Sequence, residues 1–261
     1  MGRLENRVAI VTGSSSGFGR AIAKAFADED AKVVCSDLRA EARDEGFETD
    51  LGVSTHEAIQ KAGHEAAFVC CDVSKVGEVK ALVEAAAEKY GRLDIMVANA
   101  GIFPGLAKIH ETTEDDYGLS MNVNCKGLWN SNQQAIVQLL KQGIGGKVIN
   151  IISIGGLVGI PKGAAYCTAK GAASNLTRQL AVDYGRDGIT VNGICPNFAP
   201  TAMTRPAYGD QAMQSFVEGR TPLGRWATSK DVAGLAVFLA SSDADYITGA
   251  LIPVDGGYTA Q

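Results

Sequence analysis

No apolar run in this sequence of 261 residues approaches the ~20 consecutive positions that a bilayer-crossing helix needs. The first segment, MGRLENRVAIVTG, passes from charged residues straight into a strand-like run and lacks the apolar core of a secretory leader. Both absences point to a cytoplasmic protein with no membrane partner. Histidine is scarce: His56, His64 and His110 stand alone without ligand spacing, so surface positions are expected for them and no metal site. The cysteines Cys35, Cys70, Cys71, Cys125, Cys167 and Cys195 form no CxxC pair and sit mostly in apolar runs. They read as free buried thiols rather than a disulfide framework or a zinc site. A stripe of Lys and Arg is also missing, and with a net charge of -5 the chain offers no electrostatic basis for binding nucleic acid or anionic lipid. Repeats, low-complexity tracts and linkers are absent too, so one domain is expected over residues 1–261.

What the chain does have is alternation. Short Val/Ile/Ala-rich runs occur at 7–12, 32–37, 66–72, 93–99, 147–153 and 189–195, with a seventh, ALIPVDG, near the end. Segments of helical period separate them at 17–28, 75–90, 113–141, 164–185 and 229–241. Strands that are apolar throughout and interleaved with helices belong to a buried sheet covered on both faces. The expected fold class is α/β, doubly wound, with a seven-stranded, mostly parallel sheet. Capping signals place two helix starts, at Thr112-Thr113-Glu114-Asp115 and at Thr228-Ser229-Lys230-Asp231. Two stretches lack a period: residues 39–54, RAEARDEGFETDLGVS, read as a surface excursion, and residues 198–226 read as a lid.

Two short motifs carry chemistry. TGSSSGFG, at 12–19, joins the first strand-like run to the first helical segment, and its glycines let the backbone turn tightly and approach a pyrophosphate. The phosphate charge then sits among unpaired N–H groups at the helix start, which makes Gly13, Ser15, Ser16, Gly17, Phe18 and Gly19 candidate dinucleotide contacts. Taken alone, a GxxxGxG turn also fits a flexible strand-to-helix loop. Asp37 ends the second strand, where a carboxylate accepts hydrogen bonds from the adenosine ribose hydroxyls and repels a 2'-phosphate. That favours NAD (NADH) over NADP, with Arg39 partly offsetting the repulsion. In AYCTAKGA, at 165–172, Tyr166 and Lys170 share a helix face, and a neighbouring cation favours the phenolate form of a tyrosine. The same spacing also occurs in plain surface pairs.

In chain order the motifs are Thr12-Gly13-xxx-Gly17-x-Gly19, Asp72, Asn99-Ala100-Gly101, Asn124-x-x-Gly127, Ser153 and Tyr166-x-x-x-Lys170. In this the sequence resembles the short-chain dehydrogenase/reductase family over almost its whole length. The resemblance implies one Rossmann-type domain with a cofactor half at about 1–150, a catalytic half at about 151–261 and a lid at 198–226. It implies NAD(H)-dependent interconversion of a secondary alcohol and a ketone. Tyr166 would be the general acid in reduction and the base in oxidation, and Ser153 would bind the substrate oxygen. Lys170 would hold the nicotinamide ribose and lower the Tyr166 pKa, while Asn124 would fix a water relaying protons from Lys170.

Asp72 and Val73 would be adenine contacts, Asn99, Ala100 and Gly101 would support the cofactor loop, and Ile194, Pro196 and Thr201 would embrace the nicotinamide. Asp72 equally fits a helix-capping turn with Ser74. Pro196-Asn197 departs from the family's Pro-Gly, which leaves the geometry of that turn open, although Asn tolerates positive φ better than most residues. The substrate contacts expected are Ser153, Gly155, Tyr166 and Tyr208, in a pocket suited to a small or medium carbonyl compound. Arg205 and Arg220 read as solvated lid charges. The terminal IPVDGGY suggests a homotetramer, with a homodimer open. Two alternatives remain: an NADPH-dependent 3-oxoacyl reductase, which Asp37 disfavours, and a non-catalytic dinucleotide-binding regulator, which the full set Asn124, Ser153, Tyr166 and Lys170 disfavours.

Overall fold

The alternation of strand and helix organises the whole chain in the computed structural model, which describes residues 2–261. The strands are β1 (Val8–Thr12), β2 (Lys32–Asp37), β3 (Ala66–Cys70), β4 (Ile95–Ala98), β5 (Gly146–Ile151), β6 (Ile189–Pro196) and β7 (Leu251–Val254). They pair in the order β3-β2-β1-β4-β5-β6-β7, and every pairing is parallel, so the sheet expected to be mostly parallel is wholly so. From β1 the chain builds outward to β3, returns to β4 beside β1, and builds the other way. This reversal opens a crevice beyond the carboxyl ends of β1 and β4, the place where doubly wound sheets bind ligands.

The helices are α1 (Gly17–Asp28), α2 (Thr55–Lys61), α3 (Val76–Tyr90), α4 (Glu114–Ser120), α5 (Leu128–Gln142), α6 (Ala164–Tyr184), α7 (Arg205–Tyr208), α8 (Gln211–Arg220) and α9 (Ser229–Ala240). Side chains alternate across the sheet: Ala9 and Val11 of β1 pack with Ile22 and Phe26 of α1 and Val232 of α9. Ile10 faces the other way, into Leu82 of α3 and Ile136 of α5. Both faces are covered, which is why each strand reads as a continuous apolar run instead of alternating. Each large side chain buried this way contributes about 1.5–3 kcal/mol. Among the described residues, no helix is long and apolar enough to cross a membrane.

Three local departures from the sequence reading bear on the site. The segment expected as one helix over 113–141 is broken into α4, a π-helical turn at Met121–Gly127, and α5. That turn aims Asn124 inward, and Gly127 permits it, since a Cβ there would lie 2.6 Å from Val73 Cγ2. Residues 39–54 carry no regular structure but are fastened down. Arg20 of α1, only 2% exposed, donates to Val53 O at 2.9 Å and Thr55 Oγ1 at 2.9 Å and pairs with Asp50 at 2.8 Å. Residues 198–226, expected as an aperiodic lid, contain α7 and α8.

The cysteines are free, but only Cys35, Cys71 and Cys195 are buried; Cys125 and Cys167 are half-buried and Cys70 is exposed. Of the histidines, His110 is exposed and His56 and His64 are half-buried.

Candidate active site

The glycine-rich turn is locked to the turn after β4. Gly13 has φ +64°, and a Cβ there would lie 2.7 Å from Ala100 Cα; a Cβ on Gly19 would collide with the Gly13 carbonyl. The Asn99 amide donates to the carbonyls of Thr12 at 2.8 Å and Gly13 at 3.0 Å. In return, the Thr12 hydroxyl oxygen accepts from the backbone N–H groups of Asn99 at 3.0 Å and Ala100 at 3.1 Å. These contacts tie the turn after β4 to the glycine-rich turn. Asp37, at the end of β2, accepts from Ser15 N at 3.1 Å and Leu38 N at 2.8 Å.

The excursion lies on this turn rather than in solvent. Ser15 donates from its hydroxyl to Arg39 O at 2.6 Å, and Ser16 Oγ accepts from Arg43 N at 2.8 Å. Glu48 Oε1 accepts from Gly17 N at 2.5 Å, placing a carboxylate at the N-terminus of α1. Its other oxygen, Oε2, is buried without a partner. No local signal in the sequence marks Glu48 as part of the site. On the neighbouring strand, Asp72 forms the capping turn with Ser74, accepting from its N–H at 3.0 Å and its hydroxyl at 2.7 Å. The Ser74 hydroxyl is the main influence holding the Asp72 carboxyl below its usual range. Val73 is fixed through its carbonyl by Asn130 Nδ2 at 2.8 Å.

A continuous cavity of about 570 Å³ runs from this turn across the carboxyl ends of the strands. Gly13, Ser16, Gly17, Phe18, Asp37, Asp72 and Val73 line one part; Asn99, Ala100, Gly101, Asn124, Ser153, Tyr166, Lys170, Pro196 and Thr201 line the rest. Five residues expected at the site do not line it: Ser15, Gly19, Gly155, Ile194 and Tyr208, and Ile194 is fully buried in the core. Ser15 and Gly19 shape the turn from behind. Gly155 lies under the wall, where a Cβ would be 3.1 Å from Ile160 Cδ1 and 3.2 Å from Cys167 Sγ. The Tyr208 ring packs edge-on against Phe47 at 5.2 Å and Trp226 at 5.1 Å.

Around the reactive end, α6 presents Tyr166 and Lys170 on one face, with Lys170 Nζ 5.8 Å from the Tyr166 ring centroid. Lys170, buried, donates to Ile151 O at 2.9 Å. Burial pushes the Tyr166 phenol up to about 12, and its hydrogen bond with Ser153 pulls the other way. Burial also brings Lys170 down to about 8. Desolvation is thus the main influence on the phenol, and the lowering expected from Lys170 is not among the influences acting on it.

Asn124 is fully buried, accepts from Ile102 N at 2.9 Å, and donates to Ile102 O at 3.0 Å and Ser120 Oγ at 3.2 Å. Between Asn124 and Lys170 stands Gly101, where a Cβ would lie 3.0 Å from Asn124 Oδ1 and 3.7 Å from Lys170 Nζ. The missing side chain keeps both polar groups facing one small space. The thiols nearby are not activated: burial raises Cys167 and takes Cys195 up to about 11.

Asn197 replaces the glycine of the resembling family without strain. Positive φ among the described non-glycine residues is confined to Asn6, Asp30 and Lys162. Its amide donates to Thr221 Oγ1 at 3.1 Å and Asp255 O at 3.1 Å, tying the end of β6 to the residue after α8 and the residue after β7. Among the described residues, no group of three or more His, Cys, Asp or Glu is arranged to hold a metal ion.

The residues present fit a dinucleotide. Ser16, Gly17 and Phe18 at the start of α1 line the cavity, and Gly17, at φ +57°, stands where a Cβ would press to 3.2 Å from Thr201 Cγ2, so the missing side chain leaves room for a phosphate there.

Among known proteins, residues 13–259 match the family described as enoyl-(acyl carrier protein) reductase. A meso-2,3-butanediol dehydrogenase of Serratia marcescens is 38% identical over 258 residues, covering 99% of this chain and 96% of that protein. A short-chain type dehydrogenase/reductase from Mycobacterium marinum superposes with a TM-score of 0.90 at 29% identity, over 99% of this chain and 97% of its own. A gluconate 5-dehydrogenase from Burkholderia cenocepacia J2315, solved with NADP and tartrate, gives a TM-score of 0.90 at 32% identity over the same shares, 99% and 97%.

Proposed function

Because the chain belongs to the short-chain dehydrogenase/reductase family and is a dehydrogenase-type oxidoreductase acting on CH–OH donors, we propose that it interconverts a secondary alcohol and a ketone with NAD(H) and that Tyr166 transfers the proton. The observation that carries this reading is that Asn124, Ser153, Tyr166 and Lys170 line the same cavity as the glycine turn and Asp37.

A bound nicotinamide dinucleotide supplies or accepts the hydride at carbon. The protein's own task is to hold the substrate oxygen and move a proton. Ser153 and Tyr166 converge on that oxygen. Held protonated by burial, the phenol is in the right form to donate to the alkoxide that develops as a ketone is reduced. In oxidation the phenol must first lose its proton, and the Lys170 charge beside it reduces that cost. The space bounded by Gly101, Asn124 and Lys170 suits a water that passes the proton onward.

Asp37 supports NAD, since its carboxylate disfavours a 2'-phosphate. A second reading, NADP, has support of its own: Arg43 lines the cavity beside Asp37, and the gluconate dehydrogenase was solved with NADP. Exposed apolar side chains on α5 (Trp129, Val137 and Leu140) and on α6 (Val182) support a homo-oligomer, and we expect the tetramer. Light scattering on the purified protein tests that.

Initial rates with NADH and NADPH test the rest. Tyr166→Phe should lower turnover on the order of a hundredfold or more while leaving cofactor binding intact. Asp37→Ala should raise use of NADP(H); a wild-type preference for NADPH would overturn the assignment of that carboxylate.

A further inference from the structure

We infer that the substrate of this site is uncharged and largely apolar around its reacting carbon, a conclusion that rests on the alcohol–ketone chemistry proposed above. Beyond Ser153 and Tyr166 the cavity is walled by Phe103, Leu106, Ile154, Ile160, Phe198 and Met213. Phe103 packs edge-on against the Tyr166 ring, centroids 5.1 Å apart at 79°, and so sets the depth available next to the reacting atoms.

The cationic groups of the cavity are placed elsewhere. Lys170 is beneath the phenol with its ammonium on Ile151 O, and Arg43 stands at the far end beside Asp37 and Leu38. The lid contributes no free cation to this wall. Arg205 gives its guanidinium to the carbonyls of Glu45 and Gly46 and stacks 4.1 Å from the Phe47 ring centroid. Arg220 lies 5.3 Å from the Tyr258 ring centroid and 5.9 Å from that of Phe216. A carboxylate or sulfonate entering here would exchange its hydration for hydrocarbon with no ion-pair partner, which disfavours it strongly. A polyhydroxylated chain fares little better: with the Ser153 and Tyr166 hydroxyls on the reacting oxygen, only Asn197, Thr201 and Thr204, on the side of the cavity away from Phe103 and Ile160, are left as polar side chains of this wall. An alicyclic or branched aliphatic ketone fills such a space and leaves no polar group stranded.

The test is a matched pair differing only in charge: 4-methylcyclohexanone against 4-oxocyclohexanecarboxylate, titrated into the protein loaded with oxidised cofactor and followed by calorimetry. The neutral ketone should bind on the order of a hundredfold more tightly than the carboxylate. Equal affinity, tighter binding of the carboxylate, or binding of neither at millimolar concentration overturns the inference. In a second arm, Met213→Arg should close the gap at least tenfold by giving the carboxylate a partner in the wall; an unchanged ratio counts against the inference as well. Turnover of the neutral ketone with reduced cofactor is read separately. Binding with the stated preference but without turnover leaves the substrate class standing and refutes the alcohol–ketone chemistry instead.

Discussion

Replacing Glu48 with Gln should tighten dinucleotide binding. The Glu48 carboxylate accepts from Gly17 N at 2.5 Å, at the N-terminus of α1 where the cofactor's pyrophosphate is expected to sit. An incoming phosphate must take that N–H from the carboxylate, and the two negative charges also repel each other. A hydrogen bond to a charged group is worth ~1.5–3 kcal/mol net against about 1 kcal/mol for a neutral one. Charge at a helix N-terminus adds ~0.3–1 kcal/mol. Glutamine keeps the shape and an acceptor oxygen but loses the charge, so the competitor weakens by roughly 0.8–3 kcal/mol, the half-exposed position favouring the lower end, about fourfold to tenfold in Kd. Titration of NADH fluorescence on wild type and Glu48→Gln reads this directly, and the gap should narrow at high salt, since the half-exposed site is open to screening. Melting of the ligand-free protein provides a control: Glu48→Gln should melt lower without cofactor. Affinity that is unchanged or weaker in Glu48→Gln would refute the reasoning, because it would mean that the carboxylate supports the turn rather than competing for it.

Four further outcomes follow from the geometry. Gly101→Ala would put a methyl group 3.0 Å from Asn124 Oδ1 and 3.7 Å from Lys170 Nζ, and should cut kcat on the order of tenfold to a hundredfold with little change in cofactor affinity; wild-type kcat would show that the space is not used. Asn197→Gly removes the amide's bonds to Thr221 and Asp255, and at about 1 kcal/mol each it should destabilise the protein by roughly 2 kcal/mol in urea unfolding and raise KM through a looser lid. With the Tyr166 phenol up at about 12, reduction draws on the protonated form already present at pH 7, whereas oxidation needs the phenolate, whose share grows with pH. Oxidation should therefore rise from pH 7 to 10 while reduction does not, as parallel pH–rate profiles would show. Lys170 alone, shedding its proton at about 8 when folded but at ~10.4 when unfolded, would add stability as pH rises through that window. But Cys35, Cys71 and Cys195, held up to about 12, 12 and 11 by burial against ~8.5 unfolded, keep protons that the unfolded chain sheds, so urea unfolding should show the protein losing stability from about pH 8 to 10.

Much of this site can be read from the sequence because its chemistry sits at the ends of regular elements. Thr12, Asp37 and Pro196 close strands whose apolar runs mark them, and Tyr166 and Lys170 share a face of one helix, so the topology alone brings them to one crevice. The capping residues Thr113 and Thr228 perform as their neighbours suggest, each accepting from the backbone N–H three residues on.

Residues 39–54 show where such reading stops. Their composition matches a solvated loop, and nothing local distinguishes Glu48 from the acidic residues around it, since its role depends on an N–H at Gly17, 31 positions away. Tyr208 presented the complementary problem: an aromatic residue in an aperiodic stretch fits a pocket wall as well as a packing contact. What decides it is Phe47, which the ring meets at 5.2 Å and which Arg205 covers from the lid. The same short segment thus touches the phosphate end of the cleft through Glu48 and the lid through Phe47. Displacing one contact must strain or release the other, because Phe47 and Glu48 are consecutive in the chain.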